Sequence, residues 1–143
     1  MKALKYFLLA VASFTIASCM GNSGEKNTIA STDGSGNPVT VYYFHGEHRC
    51  PTCITIENET KATFEINLKK ESEEGKVELQ VINADEGRNK QICEKYGVYG
   101  SSLLLVKGDK VINLTNMAFG TARRNPDKFR EELSNEVKKL IKG

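Results

Sequence analysis

Residues 39–53 have the sequence VTVYYFHGEHRCPTC, which joins an apolar run to a CxxC pair. The run VTVYYFH is β-branched and aromatic and is bounded by a proline before it and Gly46 after it, so it is predicted to be a strand. Its nearly continuous apolar character is typical of a central strand that is covered on both faces. The pair formed by Cys50 and Cys53 begins after the four residues 46–49, and the chain there is expected to change from strand to helix.

The rest of the chain alternates between helix and strand patterns. Residues 50–72 are predicted to form one helix that ends before Gly75, because an inward-facing side chain recurs at every fourth position from Ile56 to Leu68. This order, β-α-β-α-β-β-α, predicts an α/β fold with helices packed on a four-stranded mixed sheet. The later predicted elements are a strand at 76–84, a helix at 89–96, a hairpin of strands at 103–107 and 110–114, and a last helix that begins at Asn125-Pro126.

The composition is that of an ordinary globular protein. The chain has 143 residues, a length that suits one domain with or without a tail. Apolar residues make up 39% and charged residues 27%, which excludes a mostly disordered or collagen-like chain. The formal net charge is only +2. Such a chain lacks the basic footprint of a nucleic-acid-binding protein, and no nucleic-acid partner is expected.

The N-terminal segment has the pattern of a secretory signal. Lys2 and Lys5 precede an apolar run at residues 6–17 that is too short to span a bilayer as a helix. The segment Ile16-Ala17-Ser18-Cys19 is similar to the bacterial lipobox. The resemblance implies cleavage before Cys19 and modification of Cys19 with diacylglycerol, with palmitate among the fatty chains. An ordinary signal peptide with a chance cysteine is the alternative.

These patterns divide the chain into three parts. Residues 1–18 are expected to be a lipoprotein signal peptide, and residues 19–38, rich in Gly, Ser, Asn and Thr, a lipidated flexible tether. The folded domain is expected at residues 39–143. It would be held at the bacterial cell envelope, on the extracytoplasmic side of the inner or outer membrane, through the lipid anchor.

The element order and the position of the CxxC resemble the minimal thioredoxin-like fold over residues 39–143, in which the redox pair lies between the first strand and the next helix. A closer resemblance is to the ArsF-type group of thioredoxin-fold lipoproteins, which are named as nitrophenyl-compound nitroreductase subunits. The sequence shows no flavin site, so that name is not evidence for nitroreduction here, and no cofactor is expected. The phrases that carry the closer resemblance are Tyr42-Tyr43-Phe44-His45, Arg49-Cys50, Thr52-Cys53, Ile56-Glu57, Gly100-Ser101-Ser102-Leu103-Leu104 and Asn125-Pro126.

The CxxC is predicted to be redox-active. A helix N-terminus leaves backbone N–H groups unpaired and carries partial positive charge, which lowers the pKa of a cysteine placed there. Cys50 is expected to be the exposed attacking thiol, and Cys53, one turn deeper, the thiol that resolves a mixed disulfide. Arg49, with His48 when protonated, adds positive charge that favours the Cys50 thiolate. The expected activity is thiol:disulfide exchange, in either direction, with protein thiols or disulfides or with a redox partner protein.

Three departures from thioredoxin affect this site. The cis-Pro of the family is replaced by Ser101-Ser102, which is expected to line the substrate groove. Because a cis bond before Ser costs about 3–4 kcal/mol, the loop is expected to be trans, or else strained and held by packing. Phe44 stands where the family has a buried carboxylate. His45 or Glu57 is the candidate substitute, although Glu57 also fits a solvated helix face. Arg49 replaces the Trp that precedes the first Cys.

Other interpretations of the CxxC remain open. The residues His45, His48, Cys50 and Cys53 offer two imidazoles and two thiolates, so a metal- or metalloid-binding module is the alternative function, with no metal ligand firmly assigned. A static disulfide, or a non-catalytic subunit of a redox complex, is a further alternative. Cys93 is expected to be a small buried apolar residue.

Overall fold

The computed structural model describes residues 36–143. The predictions for residues 1–18, for Cys19 and for most of the segment 19–38 lie outside these residues. A 3₁₀ turn, Gly87–Asn89, precedes the third helix. The strands are β1 (Val39–His45), β2 (Val77–Asn83), β3 (Ser102–Lys107) and β4 (Lys110–Asn113), and the helices are α1 (Pro51–Ile66), α2 (Lys69–Glu73), α3 (Lys90–Tyr96), α4 (Thr115–Thr121) and α5 (Pro126–Lys142).

The four strands form one sheet in the order β2-β1-β3-β4. Strand β1 runs parallel to β2 and antiparallel to β3, and β3 runs antiparallel to β4. Helices α1 and α2 supply the crossover that a parallel pair requires, and the tight turn at Gly108 joins β3 to β4. The predicted α/β fold with a four-stranded mixed sheet is confirmed.

Strand β1 is central, as its apolar run predicts, and its side chains alternate between two apolar layers. The larger layer packs α1, α4 and α5 on one face of the sheet, whereas in the described residues α3 is the helix of the smaller layer on the other face. The larger layer consists of Val39, Val41, Tyr43, Ile56, Leu68, Val77, Leu103, Leu105, Ala118, Ala122, Phe129, Leu133, Val137 and Leu140. The smaller layer consists of Phe44, Ile82, Cys93, Val98 and Leu104.

The prediction of one helix over residues 50–72 is wrong, because the helix breaks at Asn67 and Leu68. Helical spacing from the buried Thr60 and Thr63 would bring polar Asn67 to the next inward position. Instead the N–H groups of Asn67 and Leu68 both donate to the Thr63 carbonyl, at 2.8 and 3.0 Å. The break moves Leu68 into the larger layer, where it is fully buried. Burial of a leucine side chain contributes about 1.5–3 kcal/mol, which favours the break.

Helix α4 is not predicted by the sequence patterns, because it is short and contains a glycine. It begins where the Asn113 side chain accepts a hydrogen bond from Thr115 N at 2.9 Å. Its buried residue Ala118 and its C-cap residue Ala122, which is also buried, are small and let the helix lie close to its neighbours. Helix α5 begins as predicted, with the Asn125 side chain accepting from the backbone of its first turn. Within residues 36–143, none of the helices has the length and apolar character needed to span a membrane.

Candidate functional site

The CxxC closes a disulfide at the start of α1. Cys50 is the N-cap residue, and Pro51 takes the first helical position, where a backbone N–H is not needed. The Cα atoms of Cys50 and Cys53 are 5.1 Å apart, and the Cys50 sulfur accepts a hydrogen bond from Cys53 N at 3.1 Å. Cys50 is exposed, whereas Cys53 is only 7% exposed. A reactant in solution can therefore reach the first sulfur but not the second.

Tyr43 of β1 contacts the backbone of the CxxC. Its side chain is buried, and its hydroxyl donates to the Cys53 carbonyl at 2.6 Å. The Arg49 guanidinium and the Ser101 hydroxyl lie beside the same hydroxyl. Burial raises the pKa of Tyr43, so the hydroxyl keeps its proton and remains a donor at neutral pH. The sequence analysis missed this residue, although its place near the end of the strand that leads to the CxxC is a usable signal.

The loop between β1 and α1 is held by Asp85, which the sequence analysis also missed. The Asp85 carboxylate accepts a hydrogen bond from Glu47 N at 2.7 Å. A Cβ atom at Gly46 would lie 2.9 Å from the same carboxylate oxygen, so a side chain there would have to displace the Asp85 carboxylate that accepts from Glu47 N. Strands β1 and β2 are parallel with His45 opposite Asn83, and the segments that follow them therefore lie side by side. That adjacency is the signal for Asp85.

Arg49 and Glu57 form an ion pair, and Lys61 contacts the second oxygen of Glu57 at 2.5 Å. The side chain of Glu57 is 11% exposed and that of Arg49 25%, so Glu57 does not lie on a solvated helix face. Arg49 Nη2 and Glu57 Oε2 do not meet at hydrogen-bond angles, and Arg49 Nε has no acceptor among residues 36–143. The carboxylate near the CxxC thus comes from α1, while Phe44 lies in the smaller layer.

The charges of this pair persist at neutral pH. Burial alone would raise the pKa of Glu57, but pairing with Lys61 and Arg49 outweighs burial and lowers it. Burial would lower the pKa of Arg49, but Glu57 and Tyr43 together raise it. Since Arg49 is paired with a carboxylate, its effect on a Cys50 thiolate is offset by a nearby negative charge.

The other predicted groove and loop residues have separate places. His48 is exposed and makes no hydrogen bond or ion pair with any residue that the structure describes. The Ser102 hydroxyl donates to the Gly100 carbonyl at 3.3 Å, and Ser101 lies beside Tyr43. No cis peptide bond occurs between residues 36 and 143, so the expected trans bonds at Ser101-Ser102 are confirmed.

The four candidate metal ligands are not assembled in this structure. The His45 Nδ1 atom lies 3.0 Å from the Gly46 carbonyl oxygen, and the two sulfurs of the CxxC are bonded to each other. In the described part of the chain, no group of three His, Cys, Asp or Glu side chains is placed to hold a metal ion.

The lowered pKa of Glu57 predicts an acid-dependent stability difference. A carboxyl with a lower pKa in the folded than in the unfolded chain adds stability above its ordinary pKa of about 4.3. That contribution is lost as the pH falls through the lowered folded value. Urea unfolding should show Glu57→Gln to be less stable than the wild type by on the order of 1 kcal/mol at pH 7.

The gap between Glu57→Gln and the wild type should close below about pH 4, because a protonated carboxyl and an amide are both uncharged. Glu65→Gln, at an exposed position of the same helix, serves as the control and should differ little from the wild type. A gap for Glu57→Gln that stayed constant from pH 7 to pH 3 would contradict the prediction.

No family model matches the chain, and no curated protein sequence matches it. Solved structures do resemble it. The germline-specific thioredoxin Deadhead from Drosophila melanogaster is 18% identical, with a TM-score of 0.48, over 73% of this chain and 82% of its own. Thioredoxin-2, described as a component of malaria parasite protein secretion machinery, is 17% identical, with a TM-score of 0.41, over 58% and 82%. A malarial protein is 18% identical, with a TM-score of 0.40, over 58% and 93%.

Proposed function

We propose that the chain is a membrane-tethered, extracytoplasmic thiol:disulfide oxidoreductase with a thioredoxin-like fold, akin to the ArsF-type group. One observation carries the proposal: an exposed Cys50 caps α1, accepts a hydrogen bond from the backbone of the same helix, and is bonded to a buried Cys53. This arrangement gives a reactive outer sulfur and a protected inner one.

The exchange proceeds in two successive displacements at sulfur. The Cys50 thiolate attacks one sulfur of a partner disulfide, so the partner's S–S bond breaks, a mixed disulfide forms and the partner's other sulfur leaves as a thiolate that takes a proton. Cys53, after losing its proton, then attacks the Cys50 sulfur and releases the second partner thiol. Two electrons pass from the dithiol to the partner. The same steps in reverse oxidise a partner dithiol.

The surrounding residues have supporting roles in this proposal. The backbone N–H groups at the start of α1 stabilise the Cys50 thiolate, Arg49 adds positive charge that Glu57 partly offsets, and His48 adds to that charge when its ring is protonated. The loop Ser101-Ser102 lines the groove that receives the partner polypeptide. The partners are protein thiols or disulfides, or a redox protein that renews the dithiol.

The tether is part of the proposal and is supported by the lipobox-like sequence before Cys19. Acyl chains on Cys19 would keep the domain at the membrane of the cell envelope, since each buried methylene adds about 0.8 kcal/mol to membrane binding. The extracytoplasmic side is also where disulfides persist, so substrates for exchange are present there.

Equilibration with glutathione tests the function. Trypsin separates the cysteines of the full chain, because Cys50 and Cys53 share the peptide 50–61 while Cys19 and Cys93 fall in others. Acid quenching, alkylation and mass spectrometry should show this peptide passing between dithiol and disulfide as the ratio of reduced to oxidised glutathione changes. In the reduced chain at pH 7, iodoacetamide should modify Cys50 faster than free cysteine.

Two results together would overturn the function. They are the absence of exchange with either form of glutathione and a Cys50 alkylation rate no higher than that of free cysteine.

A further inference from the structure

A mostly buried ion pair, Arg49 with Glu57, is formed by residues next to the CxxC of the proposed function. Arg49 precedes Cys50 in the chain, and Glu57 lies one helical turn after Cys53 on α1, so the two residues flank the two cysteines. The Arg49 guanidinium also lies beside the hydroxyl of Tyr43, and that hydroxyl donates a hydrogen bond to the Cys53 carbonyl. The ion pair is therefore linked, through Tyr43, to the backbone of the inner cysteine Cys53.

Glu57 pairs with two cations. Its Oε2 atom faces Arg49 of the loop before α1, and its Oε1 atom contacts Lys61 of the same helix. Lys61 is 52% exposed, so water screens its charge, whereas the side chains of Arg49 and Glu57 are mostly buried and screened less. Of the three charges, those of Arg49 and Glu57 are therefore the least screened by solvent.

We infer that Glu57 is a positioning residue that sets the reduction potential of the Cys50–Cys53 couple by binding the Arg49 side chain and offsetting its charge. The inference rests on the proposed function. In the reduced protein Cys50 carries negative charge as a thiolate, whereas the disulfide carries none. A positive charge nearby therefore favours the reduced form, and a negative charge favours the disulfide. With both charges present, the reduction potential of the couple lies between the values expected with only one of them.

Variants of the two residues should move the couple in opposite directions. The measured quantity is the equilibrium constant for reduction of the disulfide by two glutathione thiols, which yields the dithiol and one glutathione disulfide. Glu57→Gln should raise this constant about three- to tenfold, and Arg49→Met should lower it by a similar factor. A tenfold change corresponds to about 30 mV for this two-electron couple.

Three further chains complete the experiment. The double variant Arg49→Met/Glu57→Gln should lie between the two single variants, and Arg49→Lys, which keeps the charge, should move the constant less than Arg49→Met. Glu65→Gln removes an exposed carboxylate from the same helix and should leave the constant within about twofold of the wild type. Each full-length variant is measured by mass spectrometry of its peptide that contains Cys50 and Cys53.

The outcomes separate the inference from the proposed function. A wild-type chain that does not exchange with glutathione overturns both. A wild-type chain that exchanges, with the constants of Glu57→Gln and Arg49→Met within about twofold of its own, overturns the inference alone. Shifts of both variants in the same direction also overturn it, because a general loosening of the site would act alike on both. Opposite shifts with an intermediate double variant support it.

Discussion

Replacement of Cys53 by Ser should stop turnover while leaving Cys50 able to capture a partner. The exposed Cys50 thiol still attacks a disulfide, but the mixed disulfide has no inner thiol to release it. A mixture of Cys53→Ser with glutathione disulfide should therefore accumulate glutathionylated Cys50, detected by mass spectrometry. Cys50→Ser should reduce exchange to the rate measured without protein, because Cys53 is buried and cannot be reached. These are the largest effects expected of single changes on activity.

Cys93 supplies the matched control for both variants. It carries a free thiol in the smaller layer, on the face of the sheet opposite α1. Burial and the nearby carboxylates of Asp85 and Glu94 raise the pKa of Cys93, which makes it a poor nucleophile at neutral pH. Cys93→Ser should exchange at the wild-type rate. Release of the glutathione adduct by Cys53→Ser as fast as by the wild type would show that Cys53 is not the resolving thiol.

Phe129→Ala should give the largest loss of stability. Phe129 lies on α5, is fully buried, and packs in the larger layer with the residues that hold α1 against the sheet. Truncation of a buried phenylalanine costs about 3–5 kcal/mol, a large fraction of the 5–15 kcal/mol that stabilises a typical domain. Urea unfolding followed by circular dichroism should show a midpoint shifted far below that of the wild type.

Phe119→Ala is the control for this substitution, because its side chain is 41% exposed. It should change the free energy of unfolding by no more than about 1 kcal/mol. In the folded fraction, the glutathione equilibrium constant of Phe129→Ala should equal that of the wild type, since the hydrogen bonds described for Cys50 and Cys53 involve β1 and α1 and not α5. Equal midpoints for the two phenylalanine variants would contradict the packing described for α5.

The sequence predicts those parts of the fold that depend on local patterns. Strand β1 follows from an uninterrupted β-branched and aromatic run, and the start of α5 follows from Asn125-Pro126. The end of α1 does not follow, because the break at Leu68 depends on which face of the helix meets the sheet. Helix α4 cannot be predicted from the sequence either, since its buried alanines stabilise it only through the close approach of neighbouring helices.

The candidate site was predictable to the same degree. The CxxC and its helix N-terminus are local features, and the sequence identifies both. The setting of Glu57 is not local, because it is buried only when the loop after β1 brings Arg49 back over α1. Tyr43 and Asp85 likewise gain their roles from contacts across the fold, with Cys53 and Glu47 respectively. Sequence periodicity carries no information on such contacts.

The unequal layers of the sheet have a consequence for how the molecule opens. In the described residues the smaller layer is covered by one helix of seven residues, α3, whereas the larger layer is covered by three. Local opening requires the least free energy where few apolar contacts are lost. Amide hydrogens of α3 should thus exchange with solvent through a partial opening, and those of α1 and α5 mainly through global unfolding. Cys93 becomes reachable in that partly open form while the dithiol keeps its native surroundings.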